Sequence, residues 1–212
     1  MRHFLDLGSH KLEGLREFSQ KLNINQEWKV YCFEPNILIQ EEIKKEIDKI
    51  SKNYKSFEFF NKAIMNYSGT ITFNCHKGAW KNENKKEYYS SYTTGANALT
   101  NNPEFDTGNG VVFDIVKYEV ECISIEDILN SICTEDPSAE IFIKCDIEGS
   151  EFVVLPCIIR SKYATNIKEM YIEWHERFWH NQGQNAVALK HKERLQYISE
   201  LTKIGIRCHL HT

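Results

Sequence analysis

No apolar run in this 212-residue chain approaches the roughly 20 residues that a membrane-spanning helix needs, so no membrane span is expected. Met1 leads directly into "RHFLDLG", with no basic segment and no apolar stretch ahead of a small-residue cleavage site, so a secretory leader is not expected either. Cys-x-x-Cys and the paired Cys/His spacings of zinc sites are also missing. The seven cysteines are odd in number and widely scattered, which reads as reduced, mostly buried thiols in an intracellular, cytoplasmic protein. A strong positive charge is absent as well: the formal net charge of −4 argues against a dedicated nucleic-acid binder. The lysine-rich "KNENKKE" at 81–87 carries its own acids and reads as a solvated loop.

What is present is a globular balance, 42% apolar and 26% charged residues, at a length suited to one core. We therefore expect a single domain over 1–212, which a longer protein can also contain. "HFLDLG" reads as a short buried strand ending in a glycine turn, and Leu12, Leu15, Phe18 and Leu22 then mark one face of a helix. "WKVYCFEPN" and "ILIQEEIKKEIDKI" repeat that strand and helix. "SFEFFNKAI" is a third strand candidate, and "GTITFNCHK" alternates like a half-exposed strand. From about 77 to 110 the composition turns to Asn, Ser, Thr, Gly, Lys and Tyr, an irregular insertion too long for an ordinary connection. "VVFDIVKYEVECISI" predicts one or two strands, and Ser124 the N-cap of a short helix. "AEIFIKCDIEGSEFVVLPCII" predicts a strand, a turn at Gly149 and a helix from near Ser150; "IKEMYIEWH", "ALKHKERLQYISELTKIG" and "IRCHLHT" follow as strand, helix and strand. Alternating strands and helices mean an α/β fold with a mostly parallel central sheet.

In such a sheet, ligands sit beyond the carboxyl ends of the strands, here residues 6–10, 34–36, 61–64, 146–151 and 173–177. The close glycines of a dinucleotide-binding turn are missing, since Gly8 and Gly14 stand six apart with bulky residues between them. An acid just before the turn, Asp6, suits an ammonium group better than a phosphate. Glu34 stands 20 residues after Gly14, where an acid can accept both hydroxyl hydrogens of a ribose. A nucleoside that bears an amino acid and lacks phosphates, S-adenosylmethionine, satisfies both. Either acid by itself has a plainer reading, as turn residue or surface acid.

The most specific stretch is "IFIKCDIEGSEFVVL". The period of two puts Lys144 and Asp146 on one face of a strand, and Glu148 and Glu151 crowd the turn and the first turn of helix. "FLDLGSHKLEG", "VYCFEPN", "NKAIMNYSGTITF", "SIEDIL" and "IKCDIEGSEFVVL", in that order, resemble the FkbM family of S-adenosylmethionine-dependent methyltransferases over about residues 4–175. The resemblance implies a Rossmann-like class I methyltransferase fold, a seven-stranded sheet with helices on both faces, and methyl transfer, usually to an oxygen of a sugar or polyketide-like product. It also implies that Asp6 and Gly8, with Ser9 and His10 of the same turn, bind the amino-acid end of the cofactor. Glu34, with Pro35 and Asn36, would bind the ribose, Ala63 and Asn61 would lie by the adenine, and Asp146 near the transferred methyl. Leu12 departs from the family, standing where a glycine is expected. The chain also begins almost at the first strand, which suggests a domain joined to others such as glycosyltransferases.

Methyl transfer to a hydroxyl requires a proton acceptor near the methyl. His175 is the preferred base, with Asp146 or Glu148 orienting it or acting directly; a histidine merely satisfied at a strand end is the plain alternative. Asp146, Glu148, Glu173 and His175 also permit a divalent cation that binds a diol-like acceptor, although no metal is assigned. Trp174, Phe178 and Trp179, with His180, offer flat faces for a sugar ring, and the segment 90–103 offers hydroxyl and amide groups. The expected acceptor is a saccharide or another hydroxyl-bearing small molecule. The competing readings are an inactive methyltransferase-like scaffold and an NAD-dependent oxidoreductase.

Overall fold

The computed structural model describes residues 1–79, 90–92, 113–176, 179 and 182–211. Most of the predicted insertion at 77–110, and the expected contributions of Phe178, His180 and most of segment 90–103, lie outside these residues.

A central sheet is built from β1 (Arg2–Leu7), β2 (Trp28–Phe33), β3 (Ser56–Phe60), β8 (Glu140–Cys145), β9 (Ile167–Ile172) and β10 (Arg207–Leu210). Its order is β10-β9-β8-β1-β2-β3, and every pairing is parallel. Parallel strands need covered faces on both sides, and the alternation of side chains supplies them. Phe4, Val30 and Cys32 face α1 (Glu13–Lys21) and α2 (Gln40–Ile50), while Leu5, Leu7, Tyr31 and Phe33 belong to the core shared with α3 (Ile125–Glu135), α4 (Glu151–Arg160) and α5 (Gln184–Lys203). Each fully buried Leu, Ile or Phe in these layers contributes about 1.5–3 kcal/mol. Helices therefore cover both faces, a Rossmann-like α/β arrangement.

The remaining strands, β4 (Ala63–Met65), β5 (Gly69–Ala79), β6 (Ser90–Tyr92) and β7 (Phe113–Ser124), form a second sheet in the order β4-β7-β5-β6. Two expectations change here. The stretch "SFEFFNKAI" is split: β3 ends at Phe60 in the central sheet, and after Asn61 and Lys62 the chain enters the second sheet as β4, pairing with Cys122–Ser124 of β7. The seven-stranded sheet implied by the resemblance is six-stranded among the described residues, because β4, β5, β6 and β7 pair with one another instead. The second sheet is tied to the end of β2, where Tyr118 donates to Asn36 Oδ1 (3.0 Å) and accepts from the Ile37 amide (3.2 Å). Ser124 caps α3 as expected, accepting from the Glu126 amide at 3.1 Å. Six cysteines with described side chains are free, Cys32, Cys122, Cys133 and Cys145 of them buried. Among the described residues no helix is long and apolar enough to cross a membrane.

Candidate functional site

Chain order reverses at β1: β2 and β3 lie on one side of it and β8, β9 and β10 on the other. A crevice is expected beyond the strand ends at such a point, and one opens there. Gly8, His10, Phe33, Glu34, Pro35, Asn36, Lys62, Ala63, Ile64, Phe73, Asp146, Ile147, Glu148 and Ser150 line it.

The turn after β1 is a backbone construction. Ser9 Oγ donates to the Asp6 carbonyl (2.9 Å) and accepts from the Phe33 amide (3.1 Å), while the Gly8 and Ser9 amides both donate to the Phe33 carbonyl at 3.0 Å. Gly8 has φ +80°, and a Cβ there would lie 1.8 Å from the Asp146 carbonyl oxygen, so only glycine allows β1 and β8 to end this close together. Leu12, the expected glycine position, takes a left-handed conformation itself (φ 65°). That costs about 1–2 kcal/mol, which burial of its side chain at 0% exposure offsets with about 1.5–3 kcal/mol. The departure from the family pattern therefore preserves the backbone path.

Asp6 does not reach the crevice. It is fully buried beside Lys144, its neighbour in register on β8, and is not among the residues that line the crevice. Lys144 Nζ donates to the Gly8 carbonyl (2.6 Å) and stands 3.1 Å from Asp146 Oδ2 and 3.4 Å from Asp6 Oδ1. Burial by itself would lower the Lys144 pKa; the two carboxylates reverse that and hold it above the ordinary lysine value. Burial pushes the Asp6 carboxyl up, against the pull of Lys144. Gly14 makes room for this pair, since a Cβ there would meet Lys144 Cε at 3.2 Å. Lys144 thus joins the first turn to Asp146, a wider part than neutralising Asp146 within the sheet.

Glu34 sits at the crevice wall with both carboxylate oxygens in use: Oε2 accepts from the His10 amide (2.8 Å) and Oε1 from the Asn36 amide (2.9 Å). Burial raises its pKa against these hydrogen bonds. Each carboxylate oxygen accepts two hydrogens, so each retains one lone-pair site. Asn61 is exposed and does not line the crevice; turned to donate, its amide reaches the Glu34 and Pro35 carbonyls at 2.9 and 3.2 Å. Ser9 also stays behind the wall, at 1% exposure. Of the other lining residues, Lys62, Ile64, Ile147 and Ser150 fall within the strand-end ranges marked from the sequence, whereas Phe33 and Phe73 fall outside them. Phe73 comes from the second sheet, and no local pattern could have announced it.

The turn after β8 is built from acids. Glu148 is left-handed (φ 53°), and Gly149 follows at φ 101°. Glu151, at 0% exposure, accepts from the Ile147 amide (3.0 Å) and the Gly149 amide (2.8 Å) and lies 2.9 Å from His175 Nδ1. The other ring nitrogen, Nε2, has Glu148 at 3.2 Å, Glu173 at 3.4 Å and Asp146 at 3.7 Å. His175, Asp146 and Glu148 therefore do converge. Burial would depress the imidazole, but the Glu151 hydrogen bond and the surrounding carboxylates outweigh it and raise the pKa to about 9. His175 itself is 1% exposed and does not line the crevice, and it has carboxylates against both ring nitrogens. The sequence marks Glu151 as an acid of the first helical turn but not its partnership with His175, because that contact joins two different strand ends.

Trp174 is buried in the core, with its ring edge-on to Phe152 (5.7 Å between centroids), and is not a platform for a sugar. Trp179 packs on the same Phe152 at 5.0 Å.

Among curated proteins and among solved structures, nothing matches the chain. The family model of the methyltransferase FkbM domain matches residues 6–204, a span holding both turns, the crevice and His175. The chain belongs to the FkbM family of methyltransferases.

Proposed function

We propose that the protein transfers a methyl group from S-adenosylmethionine to a hydroxyl of a sugar, glycan or related natural product. The observation that carries the cofactor reading is Glu34: a carboxylate at the end of β2, fixed by two backbone amides and retaining one acceptor site on each oxygen, matches two ribose hydroxyls. Ala63, Ile64 and Phe73 add an apolar wall suited to an adenine, with Pro35 and Asn36 beside it. Gly8 and His10 line the end of the crevice that would take the amino-acid part. Asp6 and Ser9 act from behind, by holding that turn. When bound, S-adenosylmethionine supplies a methyl group on a sulfonium, which is a good leaving group.

The chain's own task is alignment and proton removal. An acceptor oxygen must stand roughly 3–3.5 Å from the methyl carbon, in line with the bond that breaks. Asp146 and Glu148 line the crevice and can hold hydroxyl groups there, and a carboxylate of this wall accepts the hydroxyl proton. His175, clamped between Glu151 and the other acids, keeps those carboxylates in position. A wall this rich in acceptors favours a polyhydroxylated acceptor over a phenol.

Calorimetric titration with S-adenosylmethionine and S-adenosylhomocysteine, with NAD as control, tests the cofactor half. Both nucleosides should bind, and Glu34→Ala should weaken them about 100-fold, since two hydrogen bonds to a charged group are each worth about 1.5 kcal/mol or more. Binding of NAD in their place, or indifference to Glu34→Ala, overturns the reading. Methylation of phenols or nucleic acids alone, in an acceptor screen, would sink the saccharide half.

A further inference from the structure

Three carboxylates, from Glu148, Glu173 and Asp146, stand 3.2–3.7 Å from His175 Nε2. Neighbouring ligands on an octahedral cation with bonds of about 2.1–2.5 Å stand about 3.0–3.5 Å apart. The spacing is close to that of donors sharing one ion.

We propose that His175 Nε2, Glu148 and Asp146, with Glu173 at their flank, form a site for a divalent first-row metal ion. Ligand atoms of His175, Glu148 and Asp146 all lie within 4.8 Å of one another. Two of the ligands are already oriented from behind. Glu151, buried and held by the Ile147 and Gly149 amides, fixes His175 through Nδ1 and leaves Nε2 facing the carboxylates. Lys144 takes Asp146 Oδ2, so that Oδ1 is the oxygen turned toward His175. A carboxylate behind a ligating histidine is the usual outer support of a metal site. An imidazole among carboxylates suits Mn2+, Fe2+ or Zn2+ better than Mg2+ or Ca2+.

Asp146 and Glu148 also line the crevice, so the ion would stand at its wall with positions open toward an acceptor. Two neighbouring oxygens of a sugar would complete its shell, and coordination would acidify the hydroxyl, so that a weak carboxylate base suffices. The substrate class this selects is a vicinal diol, a step that rests on the methyl-transfer reading above; the metal site itself does not.

The test uses the full chain, freed of metal by a chelator, without cofactor or acceptor. Mn2+ is titrated in, and the free ion is followed by electron paramagnetic resonance. One Mn2+ per chain should bind, with affinity reduced at least about ten-fold in Glu148→Gln, which is partly exposed and safe for folding, and in His175→Gln. The exposed Glu58→Gln should bind as the parent does. Absence of saturable binding, or affinity within about two-fold of the parent in Glu148→Gln, overturns the site. S-adenosylhomocysteine binding to the same samples reports on the Glu34 crevice separately, so the two readings fail independently.

Discussion

The turns after β1 and β8 end neighbouring strands in the same direction, yet they divide labour between backbone and side chain in opposite ways. In the first, the side chains face inward: Asp6 against Lys144, Ser9 across to Phe33, Leu12 into the core. The crevice receives Gly8 and the turn around it. In the second, one buried side chain, Glu151, holds the backbone from behind, and the crevice receives Asp146 and Glu148. A turn that must approach a ligand closely needs small residues and amides. A turn that must move protons or hold ions needs carboxylates, and a further buried carboxylate to keep them in place.

The contrast breaks most sharply at Gly8. Gly8→Ala places a Cβ 1.8 Å from the Asp146 carbonyl oxygen in a left-handed conformation, so β1 and β8 must part. We expect a loss of more than about 4 kcal/mol in denaturant unfolding, or no folded protein at all. A loss below about 1 kcal/mol would mean that the two strand ends are not held together.

Next comes the comparison of Glu151→Gln with Glu148→Gln in the second turn. The first turns one oxygen that accepts a backbone amide or faces His175 into a donor, at a cost of about 2–3 kcal/mol. The second, at 16% side-chain exposure, should change stability by less than about 1 kcal/mol while lowering methyl transfer about 100-fold. Equal stability losses in the two variants would erase the distinction between supporting and working acids.

The smallest effect belongs to Glu13, which closes the first turn by accepting from the Lys11 amide (2.8 Å) and facing His10 Nδ1 (3.2 Å). Burial would raise its pKa, but these partners outweigh it and hold the carboxyl at about 2, below the ordinary 4.5. A depressed carboxylate stabilises the fold above the unfolded value, and that contribution is lost as pH falls from about 4.5 toward 2. The side chain is 50% exposed, so solvent screening limits the contribution to below about 1 kcal/mol. Parent and Glu13→Gln should therefore differ slightly at pH 7 and converge near pH 2. A gap that widens on acidification would contradict the assignment.

Much of this was legible along the chain. The strands β1, β2 and β8 and the helices α1, α3 and α4 stand where periodicity, caps and glycines predict them, because those signals are local. Convergence of Asp146, Glu148 and His175 was also readable, since each ends a buried parallel strand or opens the turn after one. The partner of Asp6 was not: its charge is answered by Lys144, 138 residues away, through strand register. A lysine and an aspartate inside apolar strands were the available hint, because buried charges require partners. The split of β3 from β4 escaped for a related reason, as each half reads equally well as a strand and only the partner decides the sheet.

Residue order by itself determined the alternation of strand and helix, the acids and glycines at the strand ends, and membership in a methyltransferase family, because these depend on spacing within a few turns of chain. Tertiary structure alone decided which acids face the crevice and which face a lysine, which histidine nitrogen meets three carboxylates, and which sheet closes the crevice wall. Those outcomes depend on register between strands far apart in sequence, where burial penalises any charge left without a partner.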